Sequence, residues 1–165
     1  MPDPQADANE APAASITIEA GVDHLAAVRA FVRTNAIPAG ADAETVADLV
    51  QAVDELVCNV VEHGYAGRRG RVEVTFVPSS DGLGFRIRDA APPFDPTAVP
   101  EPPLDLPLER RHLGGMGVHL ARTLTDEFSH RILPTGGNEV TVRKHLGTAT
   151  EGTDDDGHRD RAPER

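Results

Sequence analysis

The chain has 165 residues, of which 39% are hydrophobic and only 4% aromatic. This length suits one domain with loose ends, and its core must consist largely of aliphatic side chains. The formal net charge is −11, and no dense run of Lys and Arg interrupts the acidic balance, which argues against direct nucleic-acid binding.

Cys58 is the only cysteine, so neither an intramolecular disulfide nor a cysteine metal cluster is possible. No stretch approaches the roughly 20 apolar residues needed to cross a bilayer, and residues 1–14 lack the apolar core of a secretory signal. We therefore expect a cytoplasmic protein that does not enter the membrane. Residues 1–14 and the acidic residues 147–165 are expected to be disordered, which leaves a folded domain over residues 15–146.

The first predicted elements are a strand over Ser15 to Glu19 and a helix from about Val22 to Asn35, where apolar residues recur at helical spacing. Asp42 is a suitable N-cap for a long second helix. The apolar stripe of that helix ends near Gly64 and Gly67.

Two strands follow around Val74 and Phe85, where apolar and polar residues alternate, and Asp81-Gly82 is the predicted turn between them. Residues 90–113 contain seven prolines, and compact domains seldom carry such a long loop without a function.

A third helix over Met116 to Thr125 precedes two last strands, Glu127 to Leu133 and Glu139 to Arg143. The order of elements is therefore β-α-α-β-β-loop-α-β-β. It predicts an α/β (α+β) two-layer sandwich, in which a mostly antiparallel sheet carries helices on one face.

Polar residues recur every four positions along the second helix, at Glu55, Asn59 and His63. This spacing stacks them on one side of the helix, where a ligand at the helix flank could meet all three. A solvated polar face explains the same pattern and is the more usual explanation from the helix alone.

Asp89 continues the inward row of the strand around Phe85, which places it on the face toward the helices. An unpaired carboxylate there is costly, and a ligand amino group that donates a hydrogen bond would offset this cost. The alternative is that Asp89 has left the sheet and caps the next turn. Phe94 and Asp95 follow in that turn, where packing and loop fixation are the ordinary roles.

Glycines open the third helix in the run Gly114-Gly115-Met116-Gly117. A helix N-terminus offers free N–H donors, and glycines let an anion approach the backbone closely. Arg110 and Arg111, just before this run, could meet phosphate oxygens. A flexible helix entry and solvated loop charges are the alternatives.

In this order the segments resemble the GHKL ATPases, and within them the anti-sigma-factor serine kinases of bacterial stress and sporulation switches. The resemblance covers about residues 15–146. Residues 52–65 (AVDELVCNVVEHGY) resemble the N box of the family, residues 88–96 (RDAAPPFDP) its first glycine box, and residues 113–120 (LGGMGVHL) its second. Residues 136–140 (GGNEV) also suit the final hairpin.

The resemblance implies a Bergerat-type ATP-binding fold with ATP and Mg²⁺ as cofactors. Asn59 would ligate Mg²⁺ between the phosphates, and Glu55 would be the general base that acts on a serine or threonine hydroxyl. Asp89 would accept a hydrogen bond from the adenine amino group. Residues 96–113 would form a lid that brings Arg110 or Arg111 near the γ-phosphate. The other candidate nucleotide-binding residues are His63, Ala91, Phe94, Gly115, Met116 and Gly117.

Ala91 departs from the family pattern, because the first glycine box has glycine at this position. The added methyl group could crowd the adenine pocket or restrict φ. We expect weakened rather than abolished ATP binding.

The resemblance implies an ATP-dependent protein serine kinase and anti-sigma factor that acts by partner switching. Its partners would be a sigma factor and an anti-sigma-factor antagonist of the STAS type, which it phosphorylates, and it would be a homodimer. The alternative is an ATP-binding module that sequesters a partner with little or no catalysis, which Ala91 favours. A histidine-kinase catalytic domain is disfavoured, since the sequence shows no preceding dimerisation helices with a phosphoacceptor histidine.

Overall fold

The computed structural model describes residues 13–98 and 116–147. This part of the chain forms a five-stranded sheet and three α-helices. The strands are β1 (Ser15–Glu19), β2 (Arg71–Pro78), β3 (Gly82–Asp89), β4 (Glu127–Ile132) and β5 (Asn138–His145); the helices are α1 (Leu25–Ala36), α2 (Ala43–Asn59) and α3 (Met116–Leu124).

The sheet has the order β1-β2-β3-β5-β4, and each described strand pair is antiparallel. The central helix, α2, contacts both α1 and α3 and packs on β3 and β5. The predicted two-layer α+β sandwich is therefore confirmed. None of the helices in the described ranges is long and apolar enough to cross a membrane.

The core lies between the helices and the sheet and is mainly aliphatic. Its largest fully buried side chains are Phe85, Leu49, Leu83 and Ile87. Full burial of such a side chain contributes about 1.5–3 kcal/mol to the folded state, so this layer fixes how α2 sits above β3.

Helix α2 begins as the sequence predicts, because the Asp42 carboxylate accepts a hydrogen bond from Thr45 N at 2.8 Å. The helical segment ends between Gly64 and Gly67, as the sequence predicts, but its last turns differ in type. The α-helix stops at Asn59 and continues as a π-helical segment, Val60–Tyr65, before Ala66 and Gly67 adopt positive φ. A π turn has a wider backbone repeat than an α turn and often marks a functional site.

Other boundaries also differ from the sequence prediction. Val22–His24 is a 3-10 turn, so α1 starts only at Leu25. Gly82 belongs to β3 and pairs with His145, so the turn lies over residues 79–81. A Cβ at position 82 would lie 2.4 Å from the carbonyl oxygen of Lys144. Glycine at this position therefore lets the two strands approach closely.

Candidate nucleotide-binding site

A cavity of about 480 Å³ opens between the end of α2, the end of β3 and the start of β5. Its volume lies within the roughly 300–1,000 Å³ of typical small-molecule sites. Aliphatic side chains form most of its wall. The polar side chains that line it are Asn59, His63, Arg68, Asp89 and Asn138.

Asp89 is the buried carboxylate of this cavity, with 7% of its surface exposed. Its Oδ1 accepts hydrogen bonds from Asn138 Nδ2 and from Ala91 N, both at 2.9 Å. No described residue donates to its Oδ2. Burial raises the pKa of Asp89, while the bonds from Asn138 and Ala91 and the His130 imidazole oppose the rise.

The alternative interpretation of Asp89 holds only in part. It is the last residue of β3, paired with Val72 on one side and Asn138 on the other, so it has not left the sheet. Its Oδ1 nevertheless caps the next turn through Ala91 N. Since Oδ1 serves that turn, Oδ2 is the oxygen that can receive a donor from a ligand.

The three polar residues of the α2 region do not share one environment. Asn59 and His63 line the cavity, whereas Glu55 is not among its lining residues. Oε1 of Glu55 accepts a hydrogen bond from Gln51 Nε2 at 2.7 Å. Its Oε2 faces Gly117 in the first turn of α3, where a Cβ would lie only 2.6 Å away.

At Gly117 the missing side chain leaves room for the Glu55 carboxylate beside α3, a contact that the sequence does not reveal. Met116 begins that helix and is half-buried, and Val118 in the same turn lines the cavity. The candidate residues Arg110, Arg111 and Gly115, and most of the predicted lid, lie outside the described residues.

Comparison with known proteins shows the family of this domain. Residues 18–144 match the family model described as a histidine kinase-like ATPase domain. The chain belongs to this family.

Relatives of this histidine kinase-like ATPase domain include named bacterial regulators. An anti-sigma F factor of a Thermoanaerobacter species is 26% identical over 105 residues, which is 64% of this chain and 73% of the relative. A serine-protein kinase RsbW of Listeria monocytogenes is 29% identical over 113 residues, 66% of this chain and 71% of the relative. An RsbW of Bacillus cereus is 26% identical over 133 residues, 78% of this chain and 82% of the relative.

A solved structure shares the fold. It is a crystal structure of the RsbU and RsbW domains of a Mycobacterium tuberculosis protein, with a TM-score of 0.57 and 24% identity. The match covers 82% of this chain but only 32% of that longer one.

Ala91, the departure from the family pattern, is 2% exposed and lines the cavity. Its backbone needs no left-handed conformation, since Ala66 is the one non-glycine residue with positive φ in the described ranges. Its methyl group faces Gly64, where a Cβ would approach it to 3.1 Å. Gly64 thus provides the space that the methyl group at position 91 takes.

Asn59 is the described residue best suited to Mg²⁺. Its side chain makes no hydrogen bond to another described residue, and it lines the cavity. Within residues 13–98 and 116–147, no group of three or more His, Cys, Asp or Glu side chains could hold a metal ion. One amide oxygen fits Mg²⁺ only if nucleotide phosphates and water complete the coordination, which is the usual arrangement for this ion.

Sequence reasoning missed two residues of the site. The hydroxyl of Tyr65 donates to Arg71 O at 2.7 Å and accepts from Ala90 N at 2.9 Å, so it braces the backbone next to Asp89. Asn138 bonds to Asp89 itself. Both lie within quoted motifs, but only the register between distant strands shows what they contact.

The proline-rich turn after β3 closes one side of the cavity. Phe94 and Pro96 line it, and Phe94 N donates to Asn138 Oδ1 at 2.8 Å. Asp95 approaches His130 Nδ1 of β4 at 3.4 Å. Asp95 therefore contacts a distant strand.

Proposed function

We propose that this histidine kinase-like ATPase domain is an Mg-ATP-dependent protein serine kinase that also acts as an anti-sigma factor. The observation that carries the proposal is the free oxygen of Asp89 at the wall of a mostly apolar cavity. An adenine amino group is a donor that this acceptor would bind. The names of the RsbW and anti-sigma F relatives support the kinase and sequestration roles.

The ends of β3 and α2 divide the proposed work between them. Asp89 would orient the base, and Asn59, which lines the same cavity, would hold the phosphate end through Mg²⁺. The ion would neutralise charge on the phosphates, and phosphoryl transfer depends mainly on such neutralisation and on positioning.

Glu55 lies outside the cavity wall and next to α3, which suits a base that meets a protein hydroxyl rather than the nucleotide. As the hydroxyl oxygen bonds to the γ-phosphorus, its proton would pass to Glu55 and ADP would leave. Gln51, which donates to Oε1, would leave Oε2 of Glu55 to take the proton.

The test uses Mg-ATP and a candidate STAS-type antagonist, with intact mass as the readout. We expect one added phosphate on the antagonist with the wild-type protein. Glu55→Gln should slow transfer by about 10²–10⁴-fold, the usual contribution of a general base, while ATP affinity stays unchanged. Gln51→Ala, which keeps the Glu55 carboxylate, is the matched control, and its transfer rate should fall much less. Equal transfer by Glu55→Gln would reject Glu55 as the base.

The second candidate function is an ATP-binding module that grips a partner with little catalysis. The methyl group of Ala91 inside the cavity favours it. Nucleotide-dependent capture of a sigma factor or antagonist, without ADP release or a phosphorylated partner, would select this function.

We also propose that the protein is a homodimer, as the family resemblance implies. Light scattering should then give twice the 17.6 kDa of one chain. A monomer at micromolar concentration would contradict the proposal.

A further inference from the structure

Asn138 stands beside Asp89 in the sheet. The two residues are directly paired between β3 and β5. Asn138 is 7% exposed, and its side chain lines the same cavity.

The side-chain amide group of Asn138 forms hydrogen bonds with two separate segments. Its Nδ2 donates to Asp89 Oδ1 at 2.9 Å and to Pro92 O at 3.2 Å. Its Oδ1 accepts from Phe94 N at 2.8 Å. Asn138 therefore joins the end of β3 to the turn that forms the cavity wall.

These bonds determine which Asp89 oxygen faces the ligand. Oδ1 already receives two donors, from Asn138 and Ala91, so Oδ2 is the oxygen available to the cavity. Gly137 supports this arrangement, because a Cβ there would lie 2.1 Å from the carbonyl oxygen of Asp89. Its φ of +92° is also unfavourable for other residues.

We propose that Asn138 is a positioning residue that makes the cavity select a purine with an amino donor at C6 over one with a carbonyl oxygen at C6. By holding Oδ1, Asn138 presents Oδ2 as a pure acceptor, which suits the amino group of adenine and opposes the carbonyl oxygen of guanine. This inference rests on the proposed ATP site and adds the residue that sets its base preference.

The protonation of Asp89 provides a second readout. The bond from Asn138 lowers the pKa of Asp89 against the effect of burial, so its removal should raise that pKa. The other titratable or charged groups near the carboxylate are His63 and Arg68 on the cavity wall and His130 on β4. They are the same in every variant, and Asn138→Ala adds no titratable group, so in that variant a change in the low-pH loss of ATP binding reports on Asp89.

The experiment compares Asn138→Asp and Asn138→Ala with the wild type, using calorimetry with Mg-ATP and Mg-GTP between pH 5 and 8. Asn138→Asp keeps an acceptor for Phe94 N but removes both donors. We expect its ATP affinity to fall about tenfold, the order of one lost buried hydrogen bond. The preference for ATP over GTP should shrink. As pH is lowered, the loss of ATP affinity should begin at a higher pH than in the wild type.

Asn138→Ala should also shrink the preference for ATP over GTP and raise the pH at which ATP binding begins to be lost. It remains a usable test if the aspartate variant fails to fold. Asn35→Asp is the matched control, because Asn35 bonds only to Phe31 O on the distant α1 among the described residues; it should bind like the wild type.

If the role of Asn138 is purely structural, its replacement should weaken the binding of ATP and GTP equally and leave the pH dependence of ATP binding unchanged. That result would overturn the inference but not the proposed ATP site. A wild-type protein that binds no adenine nucleotide would instead overturn the proposed function, and the inference with it.

Discussion

At Asp89, burial and hydrogen bonding act on the carboxyl group in opposite directions. Burial is the larger effect and raises its pKa above the ordinary 3.8. Between the unfolded and folded pKa values, the folded state therefore binds more protons than the unfolded state. The free energy of unfolding falls as pH rises through this window and stays lower above it. At neutral pH the ionised carboxylate thus costs stability, which is typical of functional sites.

Replacement of Asp89 by asparagine separates function from stability. The new side chain would keep an oxygen for the donors from Asn138 and Ala91 but would present an NH₂ group in place of Oδ2. We expect the nucleotide-free Asp89→Asn variant to melt a few degrees higher than the wild type at pH 7, with the difference vanishing toward pH 3. Its Mg-ATP affinity should be lost, because two donors would then face each other.

Thermal melts between pH 3 and 8 together with calorimetry check both parts. A lower melting temperature at pH 7 would show that burial of the charge is not the dominant effect at Asp89. Retained ATP binding would remove Asp89 from the proposed base site.

At the scale of elements, the end of α2 determines the shape of the cavity. The π-helical segment places Gly64 against the Ala91 methyl group, with 3.1 Å between that methyl carbon and an ideal Cβ at position 64. In a helix, alanine is more favourable than glycine by about 1 kcal/mol. At position 64 this gain competes with crowding against Ala91.

A double-mutant cycle over positions 64 and 91 tests this contact. Gly64→Ala should be neutral or destabilising in the wild-type background, but stabilising by about 1 kcal/mol when Ala91 is replaced by Gly. Ala91→Gly alone should also strengthen ATP binding, since it removes a methyl group from the cavity. Urea unfolding and calorimetry measure the two effects, and additive free energies of unfolding would show that the residues do not touch.

The same elements show which features a single sequence reveals. Helical spacing predicts α2, the residue type of Asp42 predicts its cap, and strand alternation predicts the inward direction of Asp89, because all three are local signals. The π-helical segment has no such period. The separation of Glu55 from the cavity and the contact of Asn138 with Asp89 arise from tertiary packing and strand register, so spacing along the chain could not predict them.

At the scale of the whole molecule, a net charge of −11 opposes the approach of a polyanion such as ATP. Mg²⁺ lowers the charge of the nucleotide, and Arg68 and His63 at the cavity are the nearby basic groups. Arg68 is held in place by hydrogen bonds to the carbonyl oxygens of Tyr65 and Gly64 at 2.9 and 3.0 Å. Affinity should therefore depend strongly on the metal.

Because the cavity joins α2, β3 and β5, a bound nucleotide should stabilise the entire domain. Mg-ATP at 100 times its Kd should add about 2.7 kcal/mol to the free energy of unfolding, which corresponds to roughly 10 °C in Tm for a domain of this size. Thermal melts should show a much smaller rise with ATP and EDTA or with Mg-GTP, and none with Asp89→Asn. An equal rise in the Asp89 variant would mean that ATP binds elsewhere, since the proposed cavity would then lack its base acceptor.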